Sequence, residues 1–152
     1  MSELNRRDFV KVTAAGIGLL VLGDQLLAGT TGNGSAIDVG EPSDFPKGVI
    51  SDKLIASHNI IIVNEGDRII ALKATCTHKG ATLSVADNQI VCNRHHSKFD
   101  DTGAPTAGPA KAALFRYGIS LSDNGHLMVD KSKQFGKEQW DDPAAFVTSK
   151  TA

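Results

Sequence analysis

Each of the two cysteines in this chain stands close to a histidine, and this feature restricts the fold most. Cys76 and His78 form a Cys-x-His pair, and after thirteen intervening residues Cys92 and His95 form a Cys-x-x-His pair. Each pair follows a stretch that is predicted to be a strand and enters a polar or glycine-containing loop. Two such loops lying side by side would bring two thiolates and two imidazoles to one point.

Two sulfur and two nitrogen ligands suit two kinds of centre. Zinc accepts this set in tetrahedral structural sites. A [2Fe-2S] cluster accepts it with both cysteines on one iron and both histidines on the other. Zinc fingers usually keep a cysteine pair apart from a histidine pair, whereas each pair here is mixed. The mixing favours the cluster, because each loop then offers one ligand to each iron, and a structural zinc-binding module is the remote alternative.

The rest of the chain predicts a β-rich domain. Five runs rich in β-branched or alternating apolar residues predict strands, at 59–63, 68–74, 89–91, 115–121 and 126–129. Turn residues at 64–67 and 122–125 join two pairs of these runs into hairpins. Glycine and proline predict a loop over 101–108. The polar segment 131–152 is expected to hold a short helix or to be partly disordered.

The loop sequences CTHKG and CNRHHSKFD, followed by TAGPAKAAL, resemble the two cluster-binding loops and the proline loop of the Rieske iron–sulfur family. The resemblance implies an all-β fold, an antiparallel β-sandwich with a small cluster-binding subdomain, and a [2Fe-2S] cofactor. It covers about residues 36–130. The chain is accordingly divided into an N-terminal signal at 1–28, a linker at 29–35, the Rieske domain at 36–130 and a polar tail at 131–152.

The resemblance also implies the roles of individual residues. Cys76 and Cys92 would bind the inner iron, and His78 and His95 the outer, solvent-facing iron. His96 falls where the family commonly has glycine after its second ligand histidine. It is therefore expected to be an exposed neighbour whose Cβ is tolerated at a position suited to glycine.

Other family positions tune the expected reduction potential. Ser97 matches a serine whose hydroxyl donates to a cluster sulfide, and Phe99 replaces a tyrosine that donates to a ligand thiolate in high-potential members. The bridging cysteines of respiratory members are replaced by Ala81 and Arg94, so the loops depend on packing and on the cluster. A midpoint below the top of the range of about −150 to +300 mV is expected. The residues expected around the cluster are Ser97, Phe99, Thr77, Gly80, Arg94 and Pro109.

Charge and histidine content exclude two classes of function. The net charge of −1 provides no basic footprint for nucleic acid. A Rieske oxygenase needs a separate iron site with two histidines and a carboxylate on a much larger domain. Apart from the two ligand histidines only three remain, and His58 and His126 are expected to be ordinary packed or surface residues. No catalytic site of the chain's own is expected.

The N-terminal segment resembles a twin-arginine (Tat) export signal. Arg6, Arg7, Phe9 and Lys11 precede an apolar run over 12–23. An amphipathic helix of the folded domain is the alternative. The run is shorter than the roughly 20 apolar residues that span a bilayer. Cleavage after residue 28 or 36 is slightly favoured over a retained anchor, and both stay open.

Together these features predict an electron-transfer protein on the outer face of the cytoplasmic membrane or in the periplasm. It would pass one electron at a time to a cytochrome or another oxidoreductase subunit, with proton coupling through the ligand histidines. A quinol donor would hydrogen-bond to His78 or His95, as in a quinol–cytochrome c reductase. The alternatives are the small subunit of a periplasmic oxidase, such as an arsenite oxidase, and a free ferredoxin-like carrier.

Overall fold

The computed structural model describes residues 35–149, which fold almost entirely as antiparallel β-sheet. In chain order the strands are β1 (Ala36–Gly40), β2 (Ile50–Ser51), β3 (Ile60–Asn64), β4 (Arg68–Lys73), β5 (Ser84–Ala86), β6 (Gln89–Val91), β7 (Lys98–Phe99), β8 (Pro105–Ala107), β9 (Arg116–Leu121), β10 (Leu127–Phe135) and β11 (Val147–Thr148). A short helix, α1 (Ile55–His58), and two 3₁₀ turns at Pro42–Asp44 and Lys137–Gln139 complete the described elements. The expected all-β class is confirmed.

The strands form two sheets. The larger sheet has the order β1-β10-β9-β4-β3-β2, with β11 added against β4. The smaller sheet has the order β5-β6-β7-β8. This division into a main sheet and a small appended sheet agrees with the expected sandwich and subdomain.

The hairpin of β3 and β4 lies at the centre of the larger sheet and is buried on both faces. Because side chains alternate across a strand, Ile61 and Leu72 point into one hydrophobic cluster, and Ile60 and Ile69 into the other. The first of these clusters also contains the two cysteines. The predicted site is therefore continuous with the core of the main sheet.

The site is carried by one excursion of the chain, residues 74–115. The chain leaves the main sheet at the end of β4 and returns in β9, which pairs with β4 through Leu72 and Arg116. The Lys73 amide donates to the Phe115 carbonyl over 2.9 Å and closes the excursion. All four predicted ligands and the whole smaller sheet lie within it.

The structure differs from the sequence-based predictions in three places. The stretch 101–108, predicted to be a loop, contains strand β8, which pairs with β7. Within the alternating run 115–121, Phe115 and Leu121 are 44% and 52% exposed, although Tyr117 and Ile119 are buried. The third difference concerns the C-terminal tail.

The segment 131–149 is part of the domain, so the sequence-based boundary at residue 130 falls inside β10. β11 pairs with β4, and the Trp140 ring stacks on the buried Arg116 guanidinium at 4.3 Å. Phe146 packs against the cluster that contains the cysteines. Two aromatic contacts and a strand pairing therefore hold a segment whose composition is polar.

The predicted export signal and nearly all of the predicted linker fall on residues 1–34, outside the described residues. Among residues 35–149 no helix has the length and apolarity that a membrane span requires.

Candidate metal centre

The two cysteine loops have the same backbone hydrogen bonding. The amide of Cys76 donates to the carbonyl of Ala81 over 2.8 Å, and the amide of Cys92 donates to the carbonyl of Ser97 over the same distance. Each loop is thus closed five residues after its cysteine. The side chains at the second position after Cys76 and the third after Cys92 are the two predicted ligand histidines.

The fourth residue after each cysteine adopts a left-handed conformation. Gly80 has φ of 71° and His96 has φ of 58°, and the amide of each donates over 2.9 Å to the carbonyl of its cysteine. His96 therefore occupies a backbone conformation that favours glycine. Its imidazole is exposed.

The two thiols lie together in the interior. Cys76 and Cys92 are 2% and 1% exposed, and both belong to the same buried cluster. Burial by itself would raise the pKa of the Cys92 thiol, but the backbone amides of His95 and Arg94, the Cys76 thiol and the Arg94 charge together lower it. The site thus favours thiolate, the form that binds metal.

The two imidazoles lie together nearer the surface. The ring centroids of His78 and His95 are 4.9 Å apart, and their planes are perpendicular. The Nδ1 atom of each ring is buried and has no hydrogen-bond partner among the described residues. Buried polar atoms are rarely left without a partner. Two such nitrogens side by side are what a pair of metal-binding imidazoles would show.

The surroundings disfavour protonation of His95. Burial lowers its pKa, and the positive charges of His78, Lys79, Arg94 and His96 lower it further. A neutral imidazole is the form that binds metal through a ring nitrogen.

A third loop, 107–112, which we call the proline loop, packs against both cysteine loops. The amide of Ala110 donates to Ser97 Oγ over 3.1 Å. Thr77 Oγ1 donates to the carbonyl of Ala112 over 2.7 Å. Since the Ser97 hydroxyl accepts this bond and is fully buried, its own hydrogen is left to donate to a neighbouring acceptor.

The residues expected around the cluster are distributed unevenly. Phe99 is fully buried in the cluster that contains both cysteines, whereas Arg94 and Pro109 are exposed. Arg94 and Ala81, which replace the bridging cysteines, line one open hollow of about 550 Å³. The structure therefore brings these two positions together from different loops.

Sequence reasoning missed Gly108, Ala110 and Ala112. Ala110 and Ala112 contribute backbone hydrogen-bonding groups, and Gly108 contributes its lack of a side chain. The residue types therefore give no direct signal of these contacts. The Gly108-Pro109 dipeptide marks a turn, but only the folded chain shows which loops it touches.

The donor set fits a [2Fe-2S] cluster. A sulfur pair lies in the interior, and a nitrogen pair lies toward the surface with its Nδ1 atoms unpartnered. Among residues 35–149 no three His, Cys, Asp or Glu side chains converge on one position that could hold a single metal ion. The two pairs are arranged as separate pairs, as a two-iron cluster requires.

Comparisons with known proteins show which proteins this domain is similar to. Residues 35–118 match the family model of the Rieske [2Fe-2S] domain. The cytochrome b6-f complex iron-sulfur subunit of Chlorobaculum thiosulfatiphilum is 29% identical over 141 residues, covering 86% of this chain and 77% of that protein. The same subunit of Chlorobaculum tepidum is 31% identical over 93 residues, covering 60% of this chain and 51% of that protein.

Among solved structures, the plasma membrane Rieske protein PetC3 from Synechocystis PCC 6803 is similar. It aligns with a TM-score of 0.45 and 24% identity, covering 62% of this chain and 98% of that one.

Proposed function

This chain belongs to the Rieske [2Fe-2S] family, and from that premise we propose that Cys76, His78, Cys92 and His95 hold its cluster. The protein transfers electrons through this [2Fe-2S] cluster. We assign the inner iron to the buried cysteines and the outer iron to the half-buried histidines.

The separation of the sulfur pair from the nitrogen pair carries this assignment. The thiols are buried in one cluster of the core, and the imidazoles pack together with both Nδ1 atoms buried and, among the described residues, unpartnered. An unpartnered buried nitrogen is costly. That cost disappears if each Nδ1 binds iron.

When bound, the cluster accepts and releases one electron. Hydrogen-bond donors of the chain would stabilise the negative charge that the electron adds. Backbone amides of Arg94 and His95 point at the Cys92 sulfur, and the Ser97 hydroxyl, held by the Ala110 amide, has a hydrogen to donate. Such donors stabilise the reduced state and raise the potential.

The same histidines couple electrons to protons in this proposal. With Nδ1 on the metal, Nε2 of His78 and of His95 is the nitrogen that holds or releases a proton. If the cluster is held there, an added electron would make the site more negative and would thus favour a proton on Nε2. A quinol, which gives up both, is a suitable donor.

We further propose that the protein is a subunit of a quinol–cytochrome c reductase-like complex. The support is its similarity to iron–sulfur subunits of cytochrome b6-f complexes. The electron donor would be a quinol, and the acceptor a cytochrome. A periplasmic oxidase subunit and a free ferredoxin-like carrier are the alternatives, and the reduction potential and the binding partners distinguish them.

We propose export by the twin-arginine route to the periplasm or the outer membrane face. The support for this export route is the motif formed by Arg6, Arg7, Phe9 and Lys11. Of the two candidate cleavage sites, the one after residue 28 is favoured by the position of β1, because Ala36 pairs with Asp130 in that strand. Cleavage after residue 36 would remove the first residue of a paired strand.

An EPR-monitored redox titration at several pH values, with iron and sulfide analysis, tests the cluster assignment. We expect a Rieske-type signal in the reduced wild type and its loss in His95→Ala. The matched control is His96→Ala, which removes the adjacent imidazole and should keep the signal. Loss of the signal in both variants to the same extent, or zinc in place of iron, would contradict the assignment.

The pH dependence separates the physiological roles. A high midpoint that falls as pH rises through the histidine pKa values supports quinol chemistry. A low midpoint without pH dependence supports a ferredoxin-like carrier instead. Co-purification of the tagged protein with a b-type cytochrome from detergent-solubilised membranes tests the complex directly, and its recovery without cytochrome partners would contradict the subunit role.

A further inference from the structure

The three loops at the tip carry an unusual distribution of charge. The cysteine loops 76–81 and 92–98 and the proline loop contain no aspartate or glutamate. They contain four cationic side chains, all exposed: Lys79, Arg94, Lys98 and Lys111. We call this set the basic rim. The three loops therefore carry only positive formal charges, although the chain as a whole is slightly acidic, with a net charge of −1.

The basic rim is not neutralised by the domain's own carboxylates. Elsewhere in the domain Arg68 Nη1 lies 3.0 Å from Asp141 Oδ1, and Nη2 of the buried Arg116 lies 3.6 Å from Glu65 Oε1. Across residues 35–149 no carboxylate lies within ion-pair distance of any rim cation. Unpaired exposed charges of one sign create a field that steers an oppositely charged partner.

Three of the rim cations lie on the loops that carry or contact the nitrogen ligands. Lys79 follows His78 directly in the chain, and Arg94 precedes His95. Lys111 lies between Ala110 and Ala112, the two residues that tie the proline loop to Ser97 and Thr77. Lys79, Arg94 and Lys111 therefore lie on the loops that form the surroundings of the half-buried imidazoles, where the electron would leave the protein.

One rim cation borders a concave surface. Arg94 lines the hollow of about 550 Å³ together with Gly80, Ala81, Thr82 and Asn93. Gly80 and Ala81 offer little side-chain bulk. The hollow can therefore receive a protruding side chain, and the guanidinium at its edge suits a carboxylate.

We propose that the basic rim is the docking surface for a redox protein with aspartate and glutamate side chains around its own electron-entry site. The inference rests on the proposed function, because it places the electron exit at His78 and His95. In each encounter one electron passes to the partner's oxidised group, and no bond forms or breaks. Arg94 receives a partner carboxylate at the hollow, and the exposed Lys79, next to His78 in the chain, adds a second positive charge on the first cysteine loop.

Stopped-flow oxidation of the reduced holoprotein tests the proposal. The probes are two c-type cytochromes, one with acidic and one with basic residues around the exposed haem edge. At about 10 mM ionic strength, where the screening length is about 30 Å, we expect the acidic cytochrome to react about 10-fold faster or more. Its rate should fall as salt is added, whereas the rate of the basic cytochrome should rise.

Charge reversals locate the surface. Lys79→Glu and Arg94→Glu should each slow the acidic cytochrome about 3- to 10-fold at low salt. The control is Lys47→Glu, because Lys47 is exposed and lies over Gly66 in the turn at the other end of β4. Binding of the two oxidised proteins, where no electron moves, should weaken in parallel. Equal effects of Lys47→Glu and Arg94→Glu would overturn the proposal.

Three further outcomes separate the hypotheses. Retention of the holoprotein on phosphatidylglycerol vesicles at physiological salt, lost in Arg94→Glu, would assign the rim to a membrane and overturn the protein-docking proposal. If the wild type has a normal reduced EPR signal but its oxidation rate does not depend on the charge of the cytochrome, only the proposed docking surface is overturned. A wild type with no iron–sulfur signal overturns the proposed function itself.

Discussion

Gly108 approaches Ser97 so closely that a Cβ on residue 108 would lie 2.5 Å from the Ser97 Cα. It would also lie 2.7 Å from the His96 carbonyl oxygen. The proline loop therefore touches the second cysteine loop backbone to backbone. This contact brings the Ala110 amide to the Ser97 hydroxyl and thus orients a group that faces the cluster in our assignment.

Gly108→Ala should separate these loops. We expect a loss of about 3 kcal/mol or more in the free energy of unfolding, because the variant combines a positive φ with a backbone clash. Gly125→Ala is the matched control, since Gly125 has the same φ of 83° and a Cβ added there would meet nothing within 4 Å. It should cost only about 1–2 kcal/mol. Equal losses by urea denaturation would contradict the contact.

His96→Gly should stabilise the protein. At φ of 58° a glycine removes the cost of the left-handed conformation and adds unfolded-state entropy, for a net gain of about 0.5–1 kcal/mol. His96→Ala removes the imidazole but keeps the Cβ and should give no such gain. Thermal unfolding of the holoproteins measures the difference, and equal melting temperatures in both variants would count against strain at this residue.

Ser97→Ala should lower the midpoint potential. Loss of one hydrogen bond to the reduced cluster, worth about 1.5–3 kcal/mol, corresponds to about 65–130 mV for one electron. Phe99→Tyr should shift the potential in the opposite direction if its new hydroxyl reaches a ligand sulfur. Protein-film voltammetry measures both. An unchanged potential in Ser97→Ala would mean that its hydrogen points away from the cluster.

Loss of the cluster should loosen the tip and spare the main sheet. Without metal the unpartnered Nδ1 atoms of His78 and His95 stay unsatisfied, and no disulfide joins the loops because both cysteines are free. We expect the melting temperature to fall by more than about 5 °C. Hydrogen exchange should accelerate in 76–81 and 92–98 but not in β3. Uniform acceleration would indicate global unfolding instead.

Glu65 should make stability depend on pH. Burial raises its pKa, and the nearby Arg116 charge opposes this only in part. A raised folded-state pKa stabilises the fold below the unfolded value of about 4.3, and this contribution is lost as pH rises through the folded value. The stability of wild type relative to Glu65→Gln should therefore fall across that window.

Asp38 is a control for which the stability contribution should change with pH in the opposite direction. The backbone amide of Gly40 and then the His126 side chain lower its pKa. Its contribution is present above the unfolded value and is lost as pH falls through the folded value. Asp38→Asn should therefore show the opposite slope to Glu65→Gln in urea denaturation between pH 3 and 7. Parallel slopes would contradict the assigned environments.

Much of the fold was predictable because its determinants are local. The β3–β4 hairpin follows from two β-branched runs and an intervening turn at 64–67. Strand β6 follows from 89–91, and its end places Cys92 at the start of a loop. By contrast, β8 was predicted as loop, because Pro105 and neighbouring glycines obscure three residues that pair only once β7 is beside them.

The C-terminal segment was poorly predicted for a related reason. Residues 131–149 are polar, and composition alone gave no reason to include them in the core. Their attachment depends on a few contacts with residues far away in the chain, such as Trp140 on Arg116. Stacking of this kind has no signature in the local sequence.

The sequence by itself determined the family and the types and spacing of the proposed ligands, because cysteine and histidine at these intervals serve few other purposes. The tertiary structure decided which atoms meet. It alone placed the thiols in the interior and the imidazoles outward, brought Gly108 onto Ser97, and gathered Lys79, Arg94 and Lys111 from three loops around one tip. The physical reason is that burial, close backbone approach and surface charge arise between segments distant in the chain, and only the folded chain brings these segments together.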